Sequence, residues 1–459
     1  MLILGVIIPT VFGFVISLLI TPELRFSERL ALSYALGFGL LTLAMFSLNV
    51  VGIKFSLLNT TALISGITIL SLVYLKLKGR LRLSFFSAKA PLQKFKQELV
   101  SLSLFEKAIA GLLVFFISCN IAIALYWPVY WPDALTTYDF RAKLLAETKF
   151  IPDAASLPIA FSWIVFEYPP MTSLVHAWLY LWGWVNPKVF YPLLLISLAI
   201  VFYWSLREWS PRYHCFLFTL LLVTTGYIYT HAACAYTNFP FAFYFGVGTI
   251  YFYRWMLTRK RGFLILAGTL LGLGSWVRGE SELFFLGYLA ILIFFSIRHR
   301  RFLAPLLFAL PYFLIEPLWS VYRVHFLDFP SVNAVPGISS LLALSREFLN
   351  FARWRQVAGF IWENVVVYFR LLFFLLVLTT VFYAREVRKH YLLLLIVIFD
   401  IILFIVGSFV YSLFFPGKWE YVGGSSRRLF VICLPIIWYF IASITTKHGF
   451  SKTQKVAGS

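Results

Sequence analysis

The sequence predicts an all-α polytopic membrane protein, and three observations predict it. Hydrophobic residues make up 61% of the 459 and charged residues 13%, against about 45 to 50% and about 25% in soluble domains. Apolar runs of about the length that crosses the hydrocarbon core recur from Leu2 to Ile444, with no long polar block between them. The 39 Lys and Arg collect in alternate loops, as the positive-inside rule requires. With a mean hydropathy of +0.86, the chain reads as one membrane-embedded unit.

About thirteen apolar segments are expected as membrane helices. They lie near residues 2–20, 30–51, 56–75, 108–126, 187–206, 214–233, 239–257, 263–277, 283–297, 302–320, 366–384, 391–412 and 429–446. Residues 1–107 would hold three spans and a basic cytoplasmic loop, and residues 108–459 the remaining ten spans. With the N-terminus outside, the inner loops carry 25 basic and 6 acidic residues, and the rest of the chain carries 14 and 13. The net charge of +20 is therefore an inner-face property. The stretch from Lys76 to Lys107 is expected to touch anionic headgroups, and no nucleic-acid partner is implied.

Composition excludes other classes. Cys119, Cys215, Cys234 and Cys433 form no CxxC, which argues against a disulfide scaffold. The seven His never stand three or four apart, so no helix offers a two-histidine metal face. No internal repeat and no secretory signal with a cleavage site is evident.

Acidic residues gather in the outer segments, which are also rich in Trp, Tyr and Pro, so chemistry is expected there. The two longest outer loops, about 127–186 and 321–365, are long enough to fold on the membrane surface. The first opens with the aromatic run Tyr126-Trp127-Pro128-Val129-Tyr130-Trp131. Pro132 ends the preceding helix, so Asp133 is expected to start a new one as N-cap or first-turn residue. Leu135, Tyr138, Ala142 and Leu145 would then form the apolar face of an amphipathic interfacial helix. Asp139 stands four residues before Lys143, the spacing of a surface ion pair.

The stretch Trp131-Pro132-Asp133-Ala134-Leu135-Thr136-Thr137-Tyr138-Asp139-Phe140-Arg141-Ala142-Lys143, with Tyr168-Pro169-Pro170 opening another interfacial helix, resembles the first outer loop of the GT-C glycosyltransferases. That superfamily includes protein O-mannosyltransferases and lipid A aminoarabinose transferases. Val277-Arg278-Gly279-Glu280 resembles a recurrent Arg-x-Glu turn, and Ser425-Ser426-Arg427-Arg428-Leu429, then Pro435, the segment before the last helix. The resemblance runs from about residue 108 to the end and implies a GT-C-like transmembrane catalytic module. Four apolar segments precede the acidic loop, where family members commonly have one, and Ala134 stands where many have a second acid.

The resemblance implies an inverting transfer of a sugar from a polyprenyl-phosphate donor to an acceptor hydroxyl on a lipid, glycan or protein. Its site would face the periplasm or exterior of a plasma membrane. Asp133 is the candidate general base; Tyr138, Asp139, Arg278, Glu280, Arg427 and Arg428 are candidate substrate-binding residues. Guanidinium groups suit a phosphate leaving group, and with no DxD in the chain no metal cofactor is called for. Each candidate has a plainer role. Asp133 could cap a helix, Asp139 face solvent, Glu280 hold Arg278, and Arg427 and Arg428 anchor the last helix, of which only one is expected to face the site.

Asp400, alone in mid-span, and the outer-side His231 and His325, expected at headgroups or water, suggest no second centre. Arg323, Arg346, Arg353 and Arg355 of the second outer loop could cover a phosphate or anchor the interface. An O-antigen ligase or polymerase remains an alternative, as does a transporter without covalent chemistry.

Overall fold

The first two helices show how closely this chain packs. In a computed structural model, α1 (Leu4–Ile20) lies against α2 (Phe26–Val50) through Gly13 and Gly37. A Cβ on Gly37 would stand 1.8 Å from the Pro9 carbonyl oxygen, and one on Gly13 2.1 Å from that of Ser33. The turn between them is held by Arg29, which is buried and donates to the carbonyls of Thr21 (2.9 Å) and Pro22 (3.1 Å). The structure describes residues 2–79, 100–153, 157, 166, 168–327, 347–414 and 420–446. It is helical, with no strand among those residues.

The helices α3 (Leu57–Leu77) and α4 (Leu104–Tyr126) present mostly exposed apolar surface. Ser56 caps α3, and a reciprocal Ser103–Glu106 capping box starts α4. After the first outer loop, with α5 (Phe140–Thr148) and α6 (Met171–Leu181), come α7 (Phe190–Leu206), α8 (Arg212–Thr224) and the short α9 (Gly226–His231). The core is built on α10 (Asn238–Thr258) and α11 (Arg261–Val277), which are buried along almost their whole length. Around them stand α12 (Ser281–Arg298), α13 (Leu303–Phe313) and α14 (Pro317–Phe326). The chain continues through α15 (Phe351–Ile361), α16 (Arg370–Phe382), α17 (Ala384–Lys389), α18 (Tyr391–Phe414), α19 (Glu420–Leu429) and α20 (Leu434–Ile444). Because α2 packs on α6, α7 and α11, residues before and after 107 share one core.

Among the described residues, seven helices are long and apolar enough to cross a membrane, or up to nine if each bent pair is one span. The expected thirteen is not reached. All thirteen apolar runs are helical; α1, α8 and α11 are the shorter ones, at 17, 13 and 17 residues, and α10 mixes Asn238, Thr249 and Arg254 into its apolar run. The pairs α13–α14 and α15–α16 bend by 41° and 92°. The amphipathic interfacial helices expected in the first outer loop also differ from what forms. Tyr138, Ala142 and Leu145 of the expected apolar face are buried and Leu135 is 45% exposed, while Asp139 and Arg141 from the polar face are buried as well. A π-helical turn runs over Ala134–Asp139. In α6, Met171 to Leu179 are all buried.

Polar groups sort to two ends of the bundle. At one end Arg254 pairs with Glu28, and with Glu208 at 2.5 Å, while the Tyr251 hydroxyl donates to Glu28 at 2.8 Å. All of these lie in or beside loops assigned to the inner face. Segments assigned to the outer face meet at the other end. Between the ends, buried Asp400 accepts the Tyr288 hydroxyl at 2.7 Å, joining α18 to α12. The basic segment 80–99, residues 328–346 with Arg346, and residues 447–459 lie outside the described residues.

Candidate active site

The first outer loop is tied shut where it begins and ends. Asn186, just before α7, donates its amide to the carbonyls of Ala124 (3.0 Å), Leu125 (3.3 Å) and Trp127 (3.0 Å). Inside the loop Arg141 is fully buried. It donates to the Ser173 hydroxyl (2.7 Å) and the carbonyls of Tyr168 (2.7 Å) and Pro169 (2.9 Å), fastening α5 to the start of α6. Three backbone or hydroxyl oxygens thus answer one guanidinium, and residues 133–148 and 168–173 take a fixed path.

That path delivers Asp133. Its backbone is helical and its carboxylate caps nothing, so the N-cap role is not the one it takes. Instead Oδ2 accepts Nη1 of Arg428, 295 residues away in sequence, at 2.6 Å. Both side chains keep solvent access, 51% for Asp133 and 34% for Arg428. Tyr236 completes the group: Arg428 sits 5.8 Å over its ring, and Trp131 packs against it at 6.1 Å. Burial, then the Asp133 charge, pushes the Tyr236 phenol up to about 12, so it stays a donor near neutral pH.

The two arginines before the last helix point apart, as adjacent helical positions must. Arg427 turns to Asn364, donating to its carbonyl (3.1 Å) and its side-chain oxygen (2.8 Å), and lies 4.8 Å over Tyr368. Arg428 alone of the pair joins Asp133.

Arg278 is the second buried guanidinium at this end. Glu280 grips it through Nη2 (2.5 Å) and Nε (3.1 Å), which is the holding role anticipated for that carboxylate. Burial opposes the charge on Arg278, but Glu280 outweighs it and raises its pKa. Arg278 also donates to Thr237 (3.3 Å), whose hydroxyl donates to Tyr138 (3.1 Å), so Tyr138, Thr237 and Arg278 form one chain.

Asp139 stands apart from this group. It is 1% exposed and accepts the Tyr180 hydroxyl (2.5 Å) and Lys143 (3.0 Å), with His176 Nδ1 at 3.6 Å. Burial would raise its carboxyl, yet His176, Tyr180 and Lys143 hold it at about 2. The solvated helix face expected for it does not occur. In the second outer loop, Arg323 is buried against the Phe166 carbonyl (3.2 Å), and Arg353 pairs with Glu347 (3.2 Å). His231, expected at headgroups or water, is buried between Tyr227 and Tyr236.

Sequence reasoning missed Thr237, Tyr236, Asn186, Asn364 and the architectural role of Arg141. Tyr236-Thr237-Asn238 was the one readable signal, a polar break between two apolar runs. Among the described residues no cluster of three or more His, Cys, Asp or Glu could hold a metal ion. In comparisons with known proteins, no family model, no curated protein and no solved structure matches this chain.

Proposed function

We propose that this chain is an inverting glycosyltransferase that moves a sugar from a polyprenyl-phosphate donor to an acceptor hydroxyl, with its site on the outer face of a plasma membrane. The single observation that carries the reading is the accessible Asp133–Arg428 pair at 2.6 Å. It brings a carboxylate and a guanidinium from distant segments to one end of an apolar bundle, beside the buried Arg278. In the reaction Asp133 takes the proton of the acceptor hydroxyl while its oxygen attacks the anomeric carbon. The bond from that carbon to phosphate oxygen breaks, and polyprenyl phosphate leaves with the electron pair. Arg428, with donor hydrogens beyond the one on Asp133, meets the charge that develops on the phosphate.

The test is reconstitution in lipid with a polyprenyl-phosphate sugar and mass analysis of extracted lipids and glycans. Sugar should leave the donor with the wild-type protein and remain on it with Asp133→Asn. Equal transfer by both would refute the assignment of Asp133 as base.

A further inference from the structure

The helices α12 and α18 are both long and apolar enough to cross a membrane, and they touch at Gly287 and Phe399. Gly287 leaves no room for a Cβ against the Phe399 ring, and the next residue, Tyr288, donates to Asp400 at 2.7 Å. From this contact toward Arg298 and Tyr391 the same two helices border a cavity of about 350 Å³. Ile291, Phe294, Phe295, Tyr391, Leu392 and Leu395 make its walls apolar, and Arg298 and His299 line it at the helix end. The cavity lies far from Asp133. Asn238, which donates to the Arg428 carbonyl at 3.3 Å, starts α10, and the 21 residues of that helix put its Thr258 end about 30 Å away.

Two basic runs meet at this cavity: Arg298-His299-Arg300-Arg301 at the end of α12, and Arg259-Lys260-Arg261 at the end of α10. Phe295, one of the walls, carries both the Arg259 guanidinium at 4.0 Å and the His299 ring at 4.2 Å. Arg259, Arg298 and Arg301 all act electrostatically on His299. Nη1 of Arg259 is buried without a hydrogen-bond partner, and among the described residues no carboxylate pairs with any of these arginines. Glu386, on the neighbouring α17, is taken by Lys389 at 2.7 Å. Guanidinium groups gathered this way repel one another until an anion joins them. The walls say which kind of anion fits. A recess between two membrane-crossing helices admits an acyl chain, and cations at the helix end stand at the depth of a headgroup. A zwitterionic lipid would bring its own ammonium into the cluster, whereas an anionic one brings only the missing charge.

We propose that this cavity binds a phospholipid with a net anionic headgroup, one acyl chain lying between α12 and α18 and the phosphodiester meeting Arg298 and His299. The site is separate from that of the proposed function, and its test involves no sugar transfer.

The experiment titrates the full-length protein in detergent micelles and counts bound lipid by native mass spectrometry. The probes are phosphatidylglycerol, phosphatidylcholine with the same acyl chains, and the deacylated headgroup glycerophosphoglycerol. Wild type should bind phosphatidylglycerol more tightly than phosphatidylcholine and the deacylated headgroup least. Arg298→Gln should weaken phosphatidylglycerol at least about fivefold and leave phosphatidylcholine unchanged, and Arg298→Lys should restore much of the loss. Ala290 also lines the cavity, so Ala290→Phe should fill it and weaken phosphatidylglycerol with the arginine still in place. A double variant of two exposed cations on α3, Lys76→Gln with Lys78→Gln, should bind as wild type does. Equal phosphatidylglycerol affinity in wild type, Arg298→Gln and Ala290→Phe would overturn the proposal. So would a loss in the α3 variant as large as that in Arg298→Gln, which marks attraction to basic surface in general. Deacylated headgroup bound as tightly as the lipid would overturn it too, since the acyl chain would then contribute nothing.

Discussion

At the scale of single residues, Arg427 and Arg428 separate two roles that their sequence leaves merged. Under the proposed function Arg428→Lys should lose much of the activity although its charge remains, because Lys cannot present planar donors to a phosphate while also meeting Asp133. Arg427→Lys should chiefly loosen the Asn364 contact, with steady-state kinetics showing the smaller loss. Asp139 makes a prediction in pH. Its carboxyl is held at about 2 against an ordinary 3.8, so it contributes stability that is complete above 3.8 and disappears as pH falls through 2. For this buried group the shift corresponds to about 2 kcal/mol. Melting curves of wild type and Asp139→Asn should differ by that order at pH 6 and converge toward pH 2; a constant gap would contradict the assignment. Asp133 and Arg428 were legible as candidates from residue type and position. Their meeting was not, since nothing in a sequence without aligned relatives links positions 295 apart.

Among the elements, the first outer loop shows where periodicity misleads. Spacing of 3 and 4 placed Tyr138, Ala142 and Leu145 inside, where they are, but also Leu135 inside and Asp139 and Arg141 outside, where they are not. Arg141 is drawn inside by tertiary structure, where it donates to the Tyr168 and Pro169 carbonyls. Arg141→Met would leave those buried carbonyls without a donor, at a cost of about 3 kcal/mol. Limited proteolysis between α5 and α6 should then speed up, and an unchanged cleavage rate would show that the loop does not depend on this contact. The pair α1 and α2 tests packing in the same way. Gly37→Val would place methyl groups where the Pro9 carbonyl already lies, and a lowered melting temperature is expected. That close approach was invisible in the sequence, where glycine inside an apolar run reads only as a weak helix former.

For the molecule as a whole, composition and apolar runs were enough to read an all-helical membrane protein, and the structure shows it. The number of spans was not readable by the same means. A window of apolar residues cannot distinguish one long helix from a bent pair such as α15–α16. Glu28 and Glu208 gather on Arg254, and Asp133 on Arg428. Reporter fusions after Lys96 and after Lys452 should both report the inner face, and either one outside would reverse the sidedness of the site. The central claim is transfer from a lipid phosphate at Asp133. It is tested most directly by a lipid-reconstituted assay that follows a labelled sugar from polyprenyl phosphate to acceptor in wild type and Asp133→Asn. The account predicts a fall of at least about 100-fold in kcat with the melting temperature kept. Activity of the variant within about fivefold of wild type would contradict it.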